Sequence, residues 1–74
     1  MREVAVDCLG MQCPGPIVKL FQASKECSAG DVLVASSTDP GFSRDVEAWC
    51  SRTGNKLLSI LEQDGVVIAR IEKA

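Results

Sequence analysis

Cys13-Pro14-Gly15-Pro16 is the stretch of this 74-residue chain whose residue types could do chemistry. It lies between a short apolar strand pattern and an amphipathic helix pattern, which puts Cys13 at a helix entrance. N–H groups in a first helical turn lack intrahelical partners, and the helix dipole favours negative charge there, so the address biases Cys13 toward thiolate. A thiolate is a nucleophile. Pro14 and Pro16 have no N–H to give, so with Cys13 as N-cap the free amides narrow to those of Gly15 and Ile17, a small positively polarised nest. Gly15 also lets a partner approach closely. The plainer alternative is a rigid Cys-Pro-Gly-Pro loop that only leads into a helix.

The other three cysteines have different surroundings. Cys27 falls on the apolar stripe of the first helix and Cys50 on that of the second, so both are expected in the core. Cys8 lies just past the first strand, five positions before Cys13 in the same connection. It is either a small packing residue or a resolving cysteine that forms a reversible disulfide with Cys13. The Cys8/Cys13 spacing is not Cys-X-X-Cys, and cysteines at 8, 13, 27 and 50 lack the paired spacing of a zinc ribbon, so no metal site is expected. Histidine is absent. Cys-His catalysis and histidine-containing zinc sites are thereby removed.

The elements that must position Cys13 follow from periodicity. Glu3 to Asp7 alternates around Val4 and Val6 as a first strand, ended by the turn-prone Asp7 and Gly10. Pro14 suits the first position of a helix whose stripe is Ile17, Leu20, Phe21, Ser24 and Cys27, stopping near Gly30. Val32 to Ser36 is an almost wholly apolar strand, covered on both faces or pairing in parallel. A second helix has Asp39 as N-cap, Pro40 in its first turn and Gly54 at its end, with Phe42, Val46, Trp49, Cys50 and Thr53 as its stripe. Lys56 to Glu62 and Val66 to Glu72 are strands joined by Asp64-Gly65, a two-residue hairpin signal. The order β-α-β-α-β-β implies an α/β (α+β) two-layer sandwich, a mixed four-stranded sheet with both helices on one face. Leu33, Ala35, Leu58, Ile60, Val66 and Ile68 are strand residues of which some must face the uncovered side, a candidate surface for a partner or a weak homodimer.

Bulk properties narrow the function. Residues 1–74 suffice for one domain with one core. A net charge of -2 and three aromatics, Phe21, Phe42 and Trp49, supply neither the basic stripe nor the stacking platform of a direct nucleic-acid binder. No apolar run approaches a membrane span, and the first residues lack the pattern of a secretion signal, so a cytoplasmic location is expected, with thiols free by default.

With these residues in place, the chain resembles the TusA/SirA-like (YedF-related) sulfur-carrier family, whose hallmark is a Cys-Pro-X-Pro motif entering the first helix. Cys13-Pro14-Gly15-Pro16 fits it fully, and the match extends to Asp7 and Gly10 upstream and to Asp39-Pro40 and Arg44-Asp45 downstream. The resemblance implies a fold similar to the C-terminal domain of translation initiation factor three. It also implies a carrier that accepts a persulfide on Cys13 and relays the sulfur, a sulfurtransferase-type function without a bound cofactor and short of a self-sufficient enzyme. Its partners would be a cysteine desulfurase or other sulfurtransferase as donor and a sulfur-acceptor protein downstream. Asp7, Gly10, Pro14, Gly15 and Pro16 would support the motif. Partner docking falls to Asp39, Arg44 and Asp45, with Lys19, Leu9 and Met11 as further candidates. The competing readings are a thiol redox or regulatory module using a Cys8-Cys13 disulfide, a selenium-handling carrier, and a non-catalytic interaction domain. The family motif does not demand a cysteine at Cys8, which leaves room for a disulfide step beside persulfide transfer.

Overall fold

Alternation sets the first strand, β1 (Glu3–Cys8): Val6 and Cys8 are buried while Glu3, Ala5 and Asp7 are exposed, the period of a strand covered on one face. The computed structural model describes residues 2–10 and 15–74. β2 (Val32–Ser37) runs parallel to β1, with Val4 opposite Leu33 and Cys8 opposite Ser37. β3 (Lys56–Gln63) and β4 (Val66–Glu72) form an antiparallel hairpin, and β4 also pairs antiparallel with β2. The sheet order is β1-β2-β4-β3. Asp64 and Gly65 have φ of 55° and 79°, both left-handed, as a type I′ hairpin turn requires.

Two helices, α1 (Gly15–Ser24) and α2 (Phe42–Thr53), lie side by side on one face of the sheet. The architecture is the expected β-α-β-α-β-β two-layer sandwich with a mixed sheet. Leu20 from α1 and Phe42 and Val46 from α2 are fully buried against Leu33, Ala35 and Ile71 of the sheet. Cys50 joins this core.

Both helix boundaries differ from the sequence reading. α1 ends at Ser24 and not near Gly30: Ser24 Oγ donates to the Phe21 carbonyl at 2.7 Å, and the N–H groups of Glu26 and Cys27 reach back three residues to Ala23 and Ser24, a tighter 3₁₀-type winding. Cys27 therefore sits beyond the helix, half-buried against the core. Phe21, expected on the buried stripe, is 45% exposed. At α2 the N-cap is Gly41 and not Asp39. The Asp39 carboxylate instead accepts from the Gly41 N–H at 3.1 Å, closing a turn over Pro40, so the helix starts later. Gly54 ends α2 in the left-handed conformation, its N–H on the Cys50 carbonyl at 2.9 Å.

The six strand residues considered for the uncovered face divide between the two sides of the sheet. Leu33 and Ala35 point into the core, and Ile60 packs against it. A break in the β3–β4 register between Leu57 and Ser59 inserts Leu58 as an extra residue, which lets Leu57 and Ile60 both face inward and turns Leu61 outward, 65% exposed. Val66 and Ile68 lie on the uncovered side, out of phase with buried Val67 and Ala69. The Glu3–Arg70 ion pair, 2.7 Å, crosses that face.

The end of the sheet where β1 and β2 begin is tied by backbone groups. Arg2 and Ser28 donate N–H bonds to the Asp31 carboxylate at 3.2 and 2.9 Å, and Lys73 and Gly30 link the C-terminal segment to the same turn. The Ser28 bond is the main cause that holds the Asp31 carboxyl below the usual carboxylate range. Bonding and charge from Arg2 add to it, and partial desolvation opposes it.

Candidate functional site

Parallel pairing of β1 with β2 brings their C-terminal ends together, with Cys8 opposite Ser37. The residues that follow each strand, Leu9–Gly10 after β1 and 38–41 after β2, leave the sheet at the same end. This is where crossover α/β folds collect functional loops. Cys13 and Pro14 of the motif, together with Met11 and Gln12, lie outside the described residues. The N-cap assignment of Cys13 and the docking role of Met11 fall there too. The residues on either side of this segment are described, and they are held closely.

Upstream, the Asp7 carboxylate accepts the Leu9 N–H at 3.0 Å, a turn that ends the strand. Gly10 follows with φ 77°, a left-handed conformation that favours glycine, and its N–H reaches Thr38 Oγ1 at 3.2 Å. That bond stitches the β1 connection to the β2 connection. Downstream, Gly15 opens α1 and Pro16 is fully buried beneath it. Lys19, one turn into α1, donates its ammonium to the Asp7 carbonyl, tying the helix back to the end of β1.

Cys8 is fully buried at the base of this arrangement, its thiol donating to the Pro16 carbonyl at 3.7 Å. Burial pushes the Cys8 thiol above its ordinary value. The Lys19 charge partly offsets this, and Asp7 adds slightly to the rise. Burial also raises the thiol of Cys50. Cys8, Cys27 and Cys50 are all free thiols. Among the described residues no three carboxylate or cysteine side chains gather as metal ligands would.

From the second connection, Ser37 Oγ accepts the Asp39 N–H at 3.1 Å, and the Asp39 carbonyl accepts the Phe42 N–H at 3.0 Å. A side chain added at Gly41 would meet the Asp39 and Asp45 carboxylates at 3.7 and 3.9 Å, so both acids converge on the first turn of α2, where the helix dipole favours them. Arg44 beside them is exposed. The sheet thus gathers Asp7, Cys8, Gly10, Gly15, Pro16, Asp39, Arg44 and Asp45 at one end of the molecule. Thr38 was missed in the sequence; its signal was a hydroxyl directly after β2, available to a neighbouring loop.

Residues 4–73 match the family described as sulfurtransferase TusA. The chain belongs to this family. Among its relatives, a provisionally named sulfur carrier protein of Neisseria meningitidis serogroup A is 42% identical over 66 residues, 89% of each chain. The sulfur carrier protein TusA of Pseudomonas entomophila is 33% identical over 73 residues, 99% of this chain and 91% of that one. A provisionally named sulfur carrier protein of Aquifex aeolicus is 42% identical over 73 residues; this chain spans 37% of its length. The stretch matched by the TusA family includes the whole Cys13-Pro14-Gly15-Pro16 motif. Among the described residues no helix is long and apolar enough to cross a membrane.

Proposed function

We propose that this TusA family member is a sulfur carrier that accepts a persulfide on Cys13 and passes the terminal sulfur to an acceptor protein in the cytoplasm. The observation that carries the reading is the full Cys-Pro-Gly-Pro motif inside the family match, followed by a helix that Lys19 ties back to the end of the preceding strand.

In the loading step the Cys13 thiolate attacks the terminal sulfur of a donor persulfide. A new sulfur–sulfur bond forms, the donor's bond breaks, and the donor cysteine leaves as thiolate with the electron pair. Unloading is the same displacement with the acceptor thiolate attacking and Cys13 leaving. No net oxidation occurs and no general acid or base is required, which suits a chain without histidine. A sulfur with a lowered pKa serves both as acceptor and as leaving group. Asp7, Gly10, Gly15 and Pro16 hold the ends of the motif segment, while Asp39, Arg44 and Asp45 flank it as docking residues. The buried, hydrogen-bonded Cys8 thiol favours this reading over a Cys8-Cys13 redox cycle.

The test is incubation with a cysteine desulfurase and cysteine, followed by intact mass measurement. The expected result is a gain of one sulfur that disappears in Cys13→Ser and persists in Cys8→Ala. A gain that survives Cys13→Ser and vanishes in Cys8→Ala overturns the assignment.

A further inference from the structure

The sheet ends in two edges, β1 on one side and β3 on the other. A strand at an edge presents unpaired N–H and C=O groups, and soluble proteins guard it with charge, proline or a bulge. β1 is guarded by charge. Its exposed side chains are Glu3, Ala5 and Asp7, so antiparallel self-pairing about Ala5 would set Glu3 opposite Asp7, two like charges face to face.

β3 is guarded at one end only. The register break between Leu57 and Ser59 is a bulge in its first half, and residues 59–63 then pair with β4 without interruption. This regular half has no proline, and it carries Leu61, at 65% the most exposed large apolar side chain among the described residues. Its side chains alternate symmetrically about Leu61. Ser59, Leu61 and Gln63 lie opposite Arg70, Ile68 and Val66 on the uncovered side, while Ile60 packs on the core and Glu62 shares its side. A two-fold axis at Leu61 therefore matches both faces of an antiparallel pair, with Ser59 opposite Gln63 and Ile60 opposite Glu62. Ile68, Leu61 and their counterparts in the second copy then form one apolar row across the uncovered side. Past the bulge, Lys56 of each copy arrives beside the Asp64 turn of the other, a pair of opposite charges at each end of the contact. Among the described residues neither Lys56 nor Asp64 has an ion-pair partner within its own chain.

We infer that β3 is a self-association edge: two copies of this chain pair antiparallel through residues 59–63 about a two-fold axis at Leu61, joining their four-stranded sheets into one. β3 is antiparallel to β4, and β4 to β2, so β3 runs in the same direction as β1 and β2. The axis thus sends the two candidate functional ends to opposite ends of the assembly and leaves both open. The pairing does not rest on the sulfur chemistry.

One strand per copy is a small contact, so the expected dissociation constant is about 10 μM to 1 mM. Sedimentation equilibrium of the free chain up to about 1 mM should show monomer and dimer in exchange. Leu61→Lys changes an exposed position, and circular dichroism verifies its folding; it should weaken the dimer by about tenfold or more. The register is read by cross-linking in a Cys13→Ser background with oxidised glutathione as the oxidant. Residues directly opposite in antiparallel strands have Cα atoms about 4.5–5.5 Å apart, within the span of about 4.4–6.8 Å that a disulfide bridges. Leu61→Cys should therefore form a covalent dimer, whereas Ser59→Cys and Gln63→Cys should each stay single and cross-link only when mixed. Cross-linking of Leu61→Cys no faster than that of the Cys13→Ser parent overturns the proposal, as does a dimer that Leu61→Lys leaves unchanged. So does a chain that stays monomeric at about 1 mM, which would leave the edge to a strand of another protein.

Discussion

Replacing Cys8 by alanine separates a packing role from a redox role, and the structure supplies the scale of each. Cys8 is fully buried at the end of β1, opposite the equally buried Ser37 and bonded through sulfur to the Pro16 carbonyl. Alanine keeps the strand and removes one sulfur from a closed site. In size this resembles deleting one buried carbon, as in Ile→Val, which costs about 1 kcal/mol when the surroundings relax only partly. For a chain of this length that corresponds to a melting temperature lower by about 4–8 °C. Sulfur loading of Cys13, scored by intact mass after incubation with a cysteine desulfurase at about 20 °C, where circular dichroism verifies that the variant is folded, should persist. The thiol itself should resist alkylation in the native protein at neutral pH, because burial raises its pKa and only the thiolate reacts. An unchanged melting temperature together with lost loading would refute the reasoning, since Cys8 would then be a chemical partner of Cys13 and not a packing residue. A Cys8-Cys13 disulfide found by peptide mapping after mild oxidation of the folded protein would refute it independently.

Two further outcomes test the frame that holds the site. The Asp31 carboxyl is held below its ordinary value in the folded chain, so its contribution to stability is present above the unfolded carboxylate pKa, about 3.9, and is lost as pH falls through the folded value. Asp31→Asn should therefore lower the melting temperature at neutral pH, with the two curves converging as the solution is acidified below about pH 4; a difference that stays constant with pH would remove the electrostatic explanation. At the β3–β4 turn, Gly65→Ala forces a side chain into φ 79° with no atom within 4 Å of the added carbon, so the cost is conformational alone. About 1 kcal/mol is expected, again a loss of about 4–8 °C, and a thermal melt equal to that of the unaltered chain would contradict the I′ geometry.

The element order was legible because several elements are marked by local chemistry: Asp64-Gly65 for the hairpin, Gly54 for the end of α2, and a continuous apolar run for β2. What was not legible depends on competition between equally good local partners. Asp39 reads as an N-cap, but with Pro40 and Gly41 after it the carboxylate finds the Gly41 N–H first, and α2 begins at Phe42. Phe21 reads as core from its spacing, yet two helices lying side by side leave a groove between their outer faces, and spacing along one helix carries no information about the second. The extra residue in β3 inverts the faces of Leu57 to Leu61 through tertiary pairing with β4, which period-two reading cannot see. At the site the composition was readable and the bonds were not. Gly10–Thr38 spans 28 positions and Lys19–Asp7 spans 12, contacts that exist only once β1 and β2 are paired.

Those long-range bonds bear on why so small a chain could carry sulfur at all. A persulfide carrier needs an accessible sulfur on backbone that does not collapse around it, and exposure takes apolar burial away from a core that has little to spare. Here the flanks of the motif are fastened by groups outside the core: a hydroxyl after β2 that accepts the Gly10 N–H, and the Lys19 ammonium on a backbone carbonyl at the end of β1. Each such hydrogen bond contributes about 0.5–1.5 kcal/mol net, enough together to hold both ends of the segment. Cys8 completes the base from below, where a cysteine serves better as a buried apolar group than as a nucleophile. Cys8 at the end of β1 and Cys13 of the motif have opposite requirements under the proposed relay. Burial suits Cys8 because it raises the thiol pKa, whereas under the proposed relay Cys13 must be an accessible thiolate, and exchanging the two roles would disable both.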